Sequence, residues 1–275
     1  MKRFVCVKVF IFHFLIISIS FGFNTGQANI NFNEAQLIRV YGVKINVDDM
    51  TKAEDFYCGK LGFEIEDRSG YPKQIVLKTD GKSKLILNAV KKIRKQEPKE
   101  TCVSFTLQVN ELDKAIEKMK SLKIEFAEKE PRKEGVGNAI SILDPFGRQI
   151  SLMHQTIIKV EPFKEPKIYN FGYYIPDMTM GRDFYADKPG FVVRSEKYLP
   201  LDLPLGHKDK TFGFMLHYRT GVKSIKNSYP KAMPQYMIIY QTENLRNAIS
   251  ELEKAGVKVL SRKIEESPQG KFIAF

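Results

Sequence analysis

The sequence predicts an α+β protein of two tandem βαβββ-type modules, each made of paired half-modules, the second lacking its last strand. Three observations predict it. First, the segment Asp49-Met-Thr-Lys-Ala-Glu-Asp-Phe-Tyr-Cys-Gly-Lys-Leu-Gly-Phe63 returns, 128 residues later, as Asp177-Met-Thr-Met-Gly-Arg-Asp-Phe-Tyr-Ala-Asp-Lys-Pro-Gly-Phe191. Nine of the fifteen paired positions are identical, and a gapless match at one offset marks a repeated structural unit. Second, a β-α unit followed by short strands recurs within the first module. Third, Glu111-Leu-Asp-Lys-Ala-Ile116 returns 133 residues later as Asn244-Leu-Arg-Asn-Ala-Ile249.

Residues 1–28 read as a secretory signal peptide. Met1-Lys-Arg3 and Lys8 lead into the apolar run Val9–Phe21, which is short for a membrane span. Small and polar residues then end at Ala28, where cleavage is expected. An uncleaved anchor is the alternative, and no Cys follows the run to carry a lipid. The expected location is periplasmic or extracellular.

The first module is assigned to residues 40–156. Val40–Val47 alternates and is β-branched, as a strand does. Asp48 and Asp49 stand at a helix N-cap, and Thr51–Gly59 continues with helical spacing. Gln74–Lys78 and Lys84–Asn88 read as a hairpin turning at Asp80-Gly81. Cys102–Val109 is the next strand, and Glu111–Leu122 is a helix with Leu112, Ala115, Ile116 and Met119 on one face. A short strand is expected at Ile124–Ala127. Ala139–Leu143 and Arg148–Met153 flank the turn Asp144-Pro-Phe-Gly147.

Residues 157–167 form a linker, stiff and polar at Val160-Glu-Pro-Phe-Lys-Glu-Pro-Lys167. The second module takes residues 168–275, with a strand at Ile168–Ile175, a helix at Thr179–Ala186 and a strand at Thr211–Tyr218. Leu199–Gly206 is apolar and Pro-rich. It reads as a lid over a pocket or as an ordinary packed loop. At an offset of 133, Asp144 would pair with a position beyond Phe275, so the last strand is missing.

The chain carries 44 Lys+Arg against 32 Asp+Glu, a net charge of +12. Losing residues 1–28, with three basic and no acidic side chains, leaves +9. This reads as a solvated Lys-rich surface, with weak attraction to anionic surfaces as the sharper alternative. The densest cluster, Lys91-Lys-Ile-Arg-Lys95, has no interleaved aromatic residues, so nucleic acid is not an expected partner. Cys58 and Cys102 are either a disulfide or two separate thiols. There is no Gly-rich phosphate loop, no nucleophile elbow and no Cys-x-x-Cys.

The strand before Asp49, the helix end Asp55–Phe63 with its partial repeat at Asp183–Phe191, and Asp144-Pro-Phe-Gly147 together resemble the vicinal oxygen chelate superfamily. That superfamily includes glyoxalase I, bleomycin-resistance proteins and extradiol dioxygenases. The resemblance covers residues 40–154 and 168–275. It implies a cupped mixed sheet with helices outside and a small-molecule cavity between modules. It also implies four recurrent ligand places, usually His and Glu, for a divalent ion.

Carried over by register, one cavity would use Gly42, Leu87 and Met237, none of them a metal ligand. The other would use Asn170 and His217 from the second module with Ser104 and Ser151 from the first. Leu216 is the alternative inward residue to His217. Phe212, Phe214, Tyr236 and Tyr240 are expected as the aromatic wall of this second cavity. His154 and His207 lie away from these places. The resulting expectation is an exported, glyoxalase-like protein that binds a small molecule without a multi-ligand ion site and without a cofactor. Its ligand-binding residues would be Asn170, Ser104, Ser151, His217, Phe214 and Tyr236. The alternative is a divalent-metal-dependent enzyme, a lyase or dioxygenase, with an atypical site and His217 as the candidate catalytic residue.

Overall fold

In a computed structural model of the chain, the described residues are 6–9, 39–79, 83–94, 103–157, 159–187, 191–207, 212–221, 235–242, 244–257, 259, 264–267 and 270–273. After strand β1 (Cys6–Val9), the first module runs β2 (Arg39–Val47), α1 (Met50–Glu54), β3 (Ile65–Asp67), β4 (Gln74–Leu77) and β5 (Lys84–Ala89). Its second half runs β6 (Val103–Gln108), α2 (Leu112–Ser121), β7 (Arg132–Glu134), β8 (Gly137–Leu143) and β9 (Gln149–Gln155). The second module repeats the plan as β10 (Lys167–Ile175), α3 (Met178–Arg182), β11 (Val192–Val193), β12 (Asp202–Gly206), β13 (Phe212–Tyr218), β14 (Tyr236–Gln241) and α4 (Leu245–Lys254). The hairpin β15 (Glu265–Ser267) and β16 (Gly270–Phe272) follows.

The repeated segments build the same local structure. Asp49 accepts a hydrogen bond from the Lys52 N–H at 2.9 Å, and Asp177 does the same for Met180. Both are N-caps that satisfy an otherwise unpaired helix donor. Each helix then widens into π-helical turns, Asp55–Lys60 and Asp183–Asp187. In each module's first strand one tyrosine, Tyr41 or Tyr169, is bulged out of register.

The strands form two curled sheets, ordered β1-β14-β2-β5-β4-β3 and β11-β12-β13-β10-β6-β9-β8-β7. Each joins the first half of one module to the second half of the other. One face of each carries the core: Val43, Ile45 and Val47 of β2, and Phe171, Tyr173 and Ile175 of β10, pack in one cluster with Phe56, Ala53, Leu112 and Met119 from the helical side. The alternate residues face away from the helices, on the opposite face of each sheet, referred to below as its cup. The first cup belongs to the sheet of β2, the second to the sheet of β10.

Several expectations need correcting. Leu199–Gly206 is not a lid: its second half is β12, hydrogen-bonded between β11 and β13, because it occupies the place β4 has in the first module. Ile124–Ala127 forms a single bridge, Phe126 to Ile142, rather than a strand. The strands flanking Asp80-Gly81 pair antiparallel, and that turn lies outside the described residues, as do Cys102 and the cleavage site near Ala28. Cys6–Val9, from the segment read as a leader, pairs antiparallel with β14. It stands where β9 stands beside β6 in the other sheet. β15 and β16 match β7 and β8 at the offset of 133, and no strand is described beyond Phe272. Among the described residues no helix is long and apolar enough to cross a membrane.

The Asp144-Pro-Phe-Gly147 turn is a structural lock. Gly147 has φ +79°, the left-handed region that glycine tolerates without strain. Asp144 accepts bonds from the Phe146 and Arg148 N–H groups at 2.9 and 2.8 Å, from Arg148 Nε at 2.6 Å and from the Tyr57 hydroxyl at 2.9 Å. Arg148 Nη1 donates to the Asn46 carbonyl at 2.6 Å and the Gln235 carbonyl at 3.3 Å. The ion pair is fully buried, and Arg148 ties the two halves of the first module to the residue that precedes β14. Burial, with the Asp144 charge adding, raises the Tyr57 pKa well above the usual phenol value, so its proton stays in the bond to Asp144.

Candidate functional site in the second cup

Strand register places the predicted residues. Asn170 of β10 stands opposite Thr106 of β6, Thr106 opposite Ser151 of β9, and Ser151 opposite Ser141 of β8. Side chains at paired positions share a face, so these four polar groups form one row across four strands. Ser104 lies opposite Gly172, two residues farther along β6, and its side chain is outside the described residues. His217 lies opposite Tyr174, four residues beyond Asn170 and so about 13 Å along the strand. Asn170 and Ser151 are therefore brought together, while His217 stands apart on the same face. Leu216 points into the core.

The row ends in a charged pair. Arg132 of β7 donates from Nη2 to Ser151 Oγ and from Nη1 to Ser141 Oγ, both at 3.0 Å. The same guanidinium binds Glu128 at 2.5 and 2.7 Å and Glu134 at 2.6 Å. Burial disfavours its charge, but Glu134 and Glu128 more than offset this and raise its pKa. The opposite end of the row is neutral. Asn170 is only 7% exposed, and its Oδ1 is buried with no hydrogen-bond partner among the described residues. A lower layer holds Gln108, whose Nε2 donates to Gln155 at 2.8 Å, and Gln155, which donates to the Tyr169 hydroxyl at 3.2 Å. Burial raises the Tyr169 pKa, with Tyr198 and Asp202 adding to it.

His217 has a partner that sequence reasoning missed. Its Nδ1 lies 2.7 Å from Oδ1 of Asp202, the residue directly across on β12. Its ring packs on Tyr174 with centroids 5.3 Å apart.

Phe214 and Tyr236 are not in the cup. Phe214 is fully buried on the helix side, with its ring 4.8–5.3 Å from Tyr185, Phe191 and Tyr173. Tyr236 packs over the Arg148 guanidinium at 5.5 Å. Tyr240 is on the same inner face, and the Phe212 side chain is outside the described residues. The physical reason is alternation: a residue one step from a cup position points to the opposite face. The same one-step shift corrects the first cup, where Leu87 is in the core and Asn88 faces the cup beside Asn46. His207 and His154 are structural. His207 Nε2 accepts from the Val40 N–H at 3.2 Å, and His154 Nδ1 lies 3.4 Å from the Val109 carbonyl. Cys58 is a free thiol whose pKa is pushed up to about 11, first by burial and then by Glu54, so it stays protonated near neutral pH.

Two comparisons with known proteins bear on this arrangement. The model of the Glyoxalase/Bleomycin resistance protein/Dioxygenase superfamily matches residues 39–152. The match spans the first module, so residues 39–152 are similar to that superfamily. Glyoxalase I from Zea mays superposes with a TM-score of 0.57 at 17% identity, covering 87% of this chain and 92% of that one. A variant of that enzyme reaches 0.58 with the same identity and coverage. A putative dioxygenase from Bacillus subtilis gives 0.51 at 9% identity, covering 87% and 85%. These similarities concern the fold. No curated protein sequence matches the chain.

The divalent ion of the superfamily does not fit the residues at the implied places. The implied places in the second cup hold an amide, Asn170, two hydroxyls, Ser104 and Ser151, and one imidazole, His217, which stands about 13 Å along the strand from Asn170. Imidazole and carboxylate are the donors such ions take. Among the described residues no group of three or more His, Cys, Asp or Glu is placed to hold an ion. The first cup excludes a ligand at its first place for a steric reason. A Cβ at Gly42 would collide with the backbone carbonyl of Lys84. Gly42→Ala is therefore expected to cost about 1–3 kcal/mol, the order of an overpacked core, by urea unfolding. A cost under about 0.5 kcal/mol would show that β2 and β5 separate freely.

Proposed function

We propose that this glyoxalase-like protein binds a small, uncharged, polar molecule in the second cup, without an ion. The observation that carries the proposal is the buried, unpartnered Oδ1 of Asn170 at the uncharged end of the row. A buried carbonyl oxygen without a donor costs about 1–3 kcal/mol, a cost that a ligand N–H or O–H would remove. Thr106 and Ser151 beside it supply hydroxyls that both donate and accept. The Arg132 charge at the end of the row is offset by two glutamates, so the cup does not select an anion. We place this activity outside the cytoplasm, on the strength of the basic start, the apolar run and the small residues before Ala28.

Asn170→Leu tests the proposal through two opposite effects. It removes the unpaired oxygen, so the free protein should gain about 1 kcal/mol of stability. It should also abolish the thermal stabilisation that neutral amide- or hydroxyl-bearing compounds give the wild type. A variant stabilised by the same compounds to the same extent would sink the reading.

A further inference from the structure

The two cups differ at equivalent places, and the difference is chemical. In the first cup β4, β5 and β2 align Gln74, Asn88 and Asn46. In the second, β12, β13 and β10 align Asp202, His217 and Tyr174. The second row stands 128 or 129 residues after the first. One row is all carboxamide: Asn88 Nδ2 donates to Asn46 Oδ1 at 2.7 Å, and Asn46 Nδ2 lies 3.2 Å from Met237 Sδ. None of those groups takes up a proton near neutral pH. The other row holds a histidine hydrogen-bonded to a carboxylate.

We infer that His217 and Asp202 form a proton-transfer dyad on the wall of the second cup, acting on a small molecule with an acidic C–H or O–H bond. The inference rests on the cup being a ligand site and adds a chemical step to it. An ionised carboxylate only accepts, so at 2.7 Å Asp202 fixes the hydrogen on Nδ1 and leaves the lone pair on Nε2. Nε2 has no partner among the described residues, and the side chain is 21% exposed. It is therefore open to the cup. The ring is held by Tyr174 on one side and by Asp202 on the other. In the step itself, Nε2 forms a bond to the proton, the former X–H pair stays on the ligand, and Asp202 stabilises the imidazolium. Asp202 is the positioning residue. An oriented base of this kind is worth about 100-fold or more over the same group free in water.

Nitrobenzisoxazole is a suitable probe. Removal of its ring C–H proton sends that electron pair into a new C–N triple bond as the N–O bond breaks. Coloured cyanonitrophenolate is released without any oxidant or metal. The wild type should show saturation and a rate well above that of free imidazole at equal concentration and pH. His217→Gln should lower kcat at least about 10-fold with KM unchanged. Asp202→Asn should lower kcat with KM unchanged, and Asp202→Glu should recover part of the loss. A saturating rate that His217→Gln and Asp202→Asn both leave intact overturns the dyad while the cup still binds. A rate that never saturates, or that only equals free imidazole, overturns the dyad, and absence of saturation also counts against the ligand reading.

Discussion

Asp144→Ala should destabilise the protein by about 3–5 kcal/mol, because it strands a fully buried arginine. Arg148 would keep its bonds to the Asn46 and Gln235 carbonyls but lose the one carboxylate it meets among the described residues. Two backbone N–H groups and the Tyr57 hydroxyl would lose their acceptor at the same time. Burial already disfavours the Arg148 charge, and Tyr57, Asp144 and Tyr236 offset that effect. Removing both partners is a different matter. Asp144→Leu with Arg148→Met leaves no buried charge, so the pair of changes should cost less than the sum of the two single ones. Urea unfolding of the four proteins of this cycle measures the coupling. Additive costs would mean that the turn, and not the ion pair, holds the two halves of the module together.

Phe214→Ala is expected to cost about 3–5 kcal/mol of stability and to leave ligand affinity unchanged. Phe214 is the hub of an aromatic cluster. Tyr185 and Tyr173 stack on each other at 5.5 Å, and both meet the Phe214 ring edge-on, as does Phe191. A large cavity would open where three rings converge, and two of them carry hydroxyls whose pKa burial already raises. If Phe214 lined the cup, its loss would instead weaken ligand binding and cost little stability. Thermal unfolding and ligand titration on one preparation separate the two cases.

Most of the fold was legible in the sequence because the chain repeats itself. The offset of 128 aligns both N-caps, both π-helical turns and both bulged tyrosines. It also pairs Gln74 with Asp202, a signal for the His217 partner that was available but unused. The face of each strand residue was harder to read. Leu87 and Asn88, or Met237 and Tyr236, differ by one step, and in strands rich in apolar residues on both faces alternation does not announce which step is inward. Ser104-Phe-Thr106-Leu-Gln108 does alternate, and Thr106 and Gln108 could have been placed in the cup from that pattern. The Arg132–Glu128 pair could not, because both residues lie in one short segment that carries no motif. The Pro-rich segment reads as a lid or a packed loop, and half of it is a strand because its alternate residues Leu203 and Leu205 complete the core.

The most direct test of the central claim, an ion-free cup that reads a neutral ligand through Asn170, is calorimetric titration. The strongest neutral compound from the thermal screen would be titrated into the wild type and into Asn170→Leu, with divalent cations titrated in parallel. The account predicts one site per chain in the wild type, binding at least about 10-fold weaker in Asn170→Leu, and no stoichiometric heat from the cations. Equal affinity in the two proteins, or one tightly bound cation per chain, would contradict it.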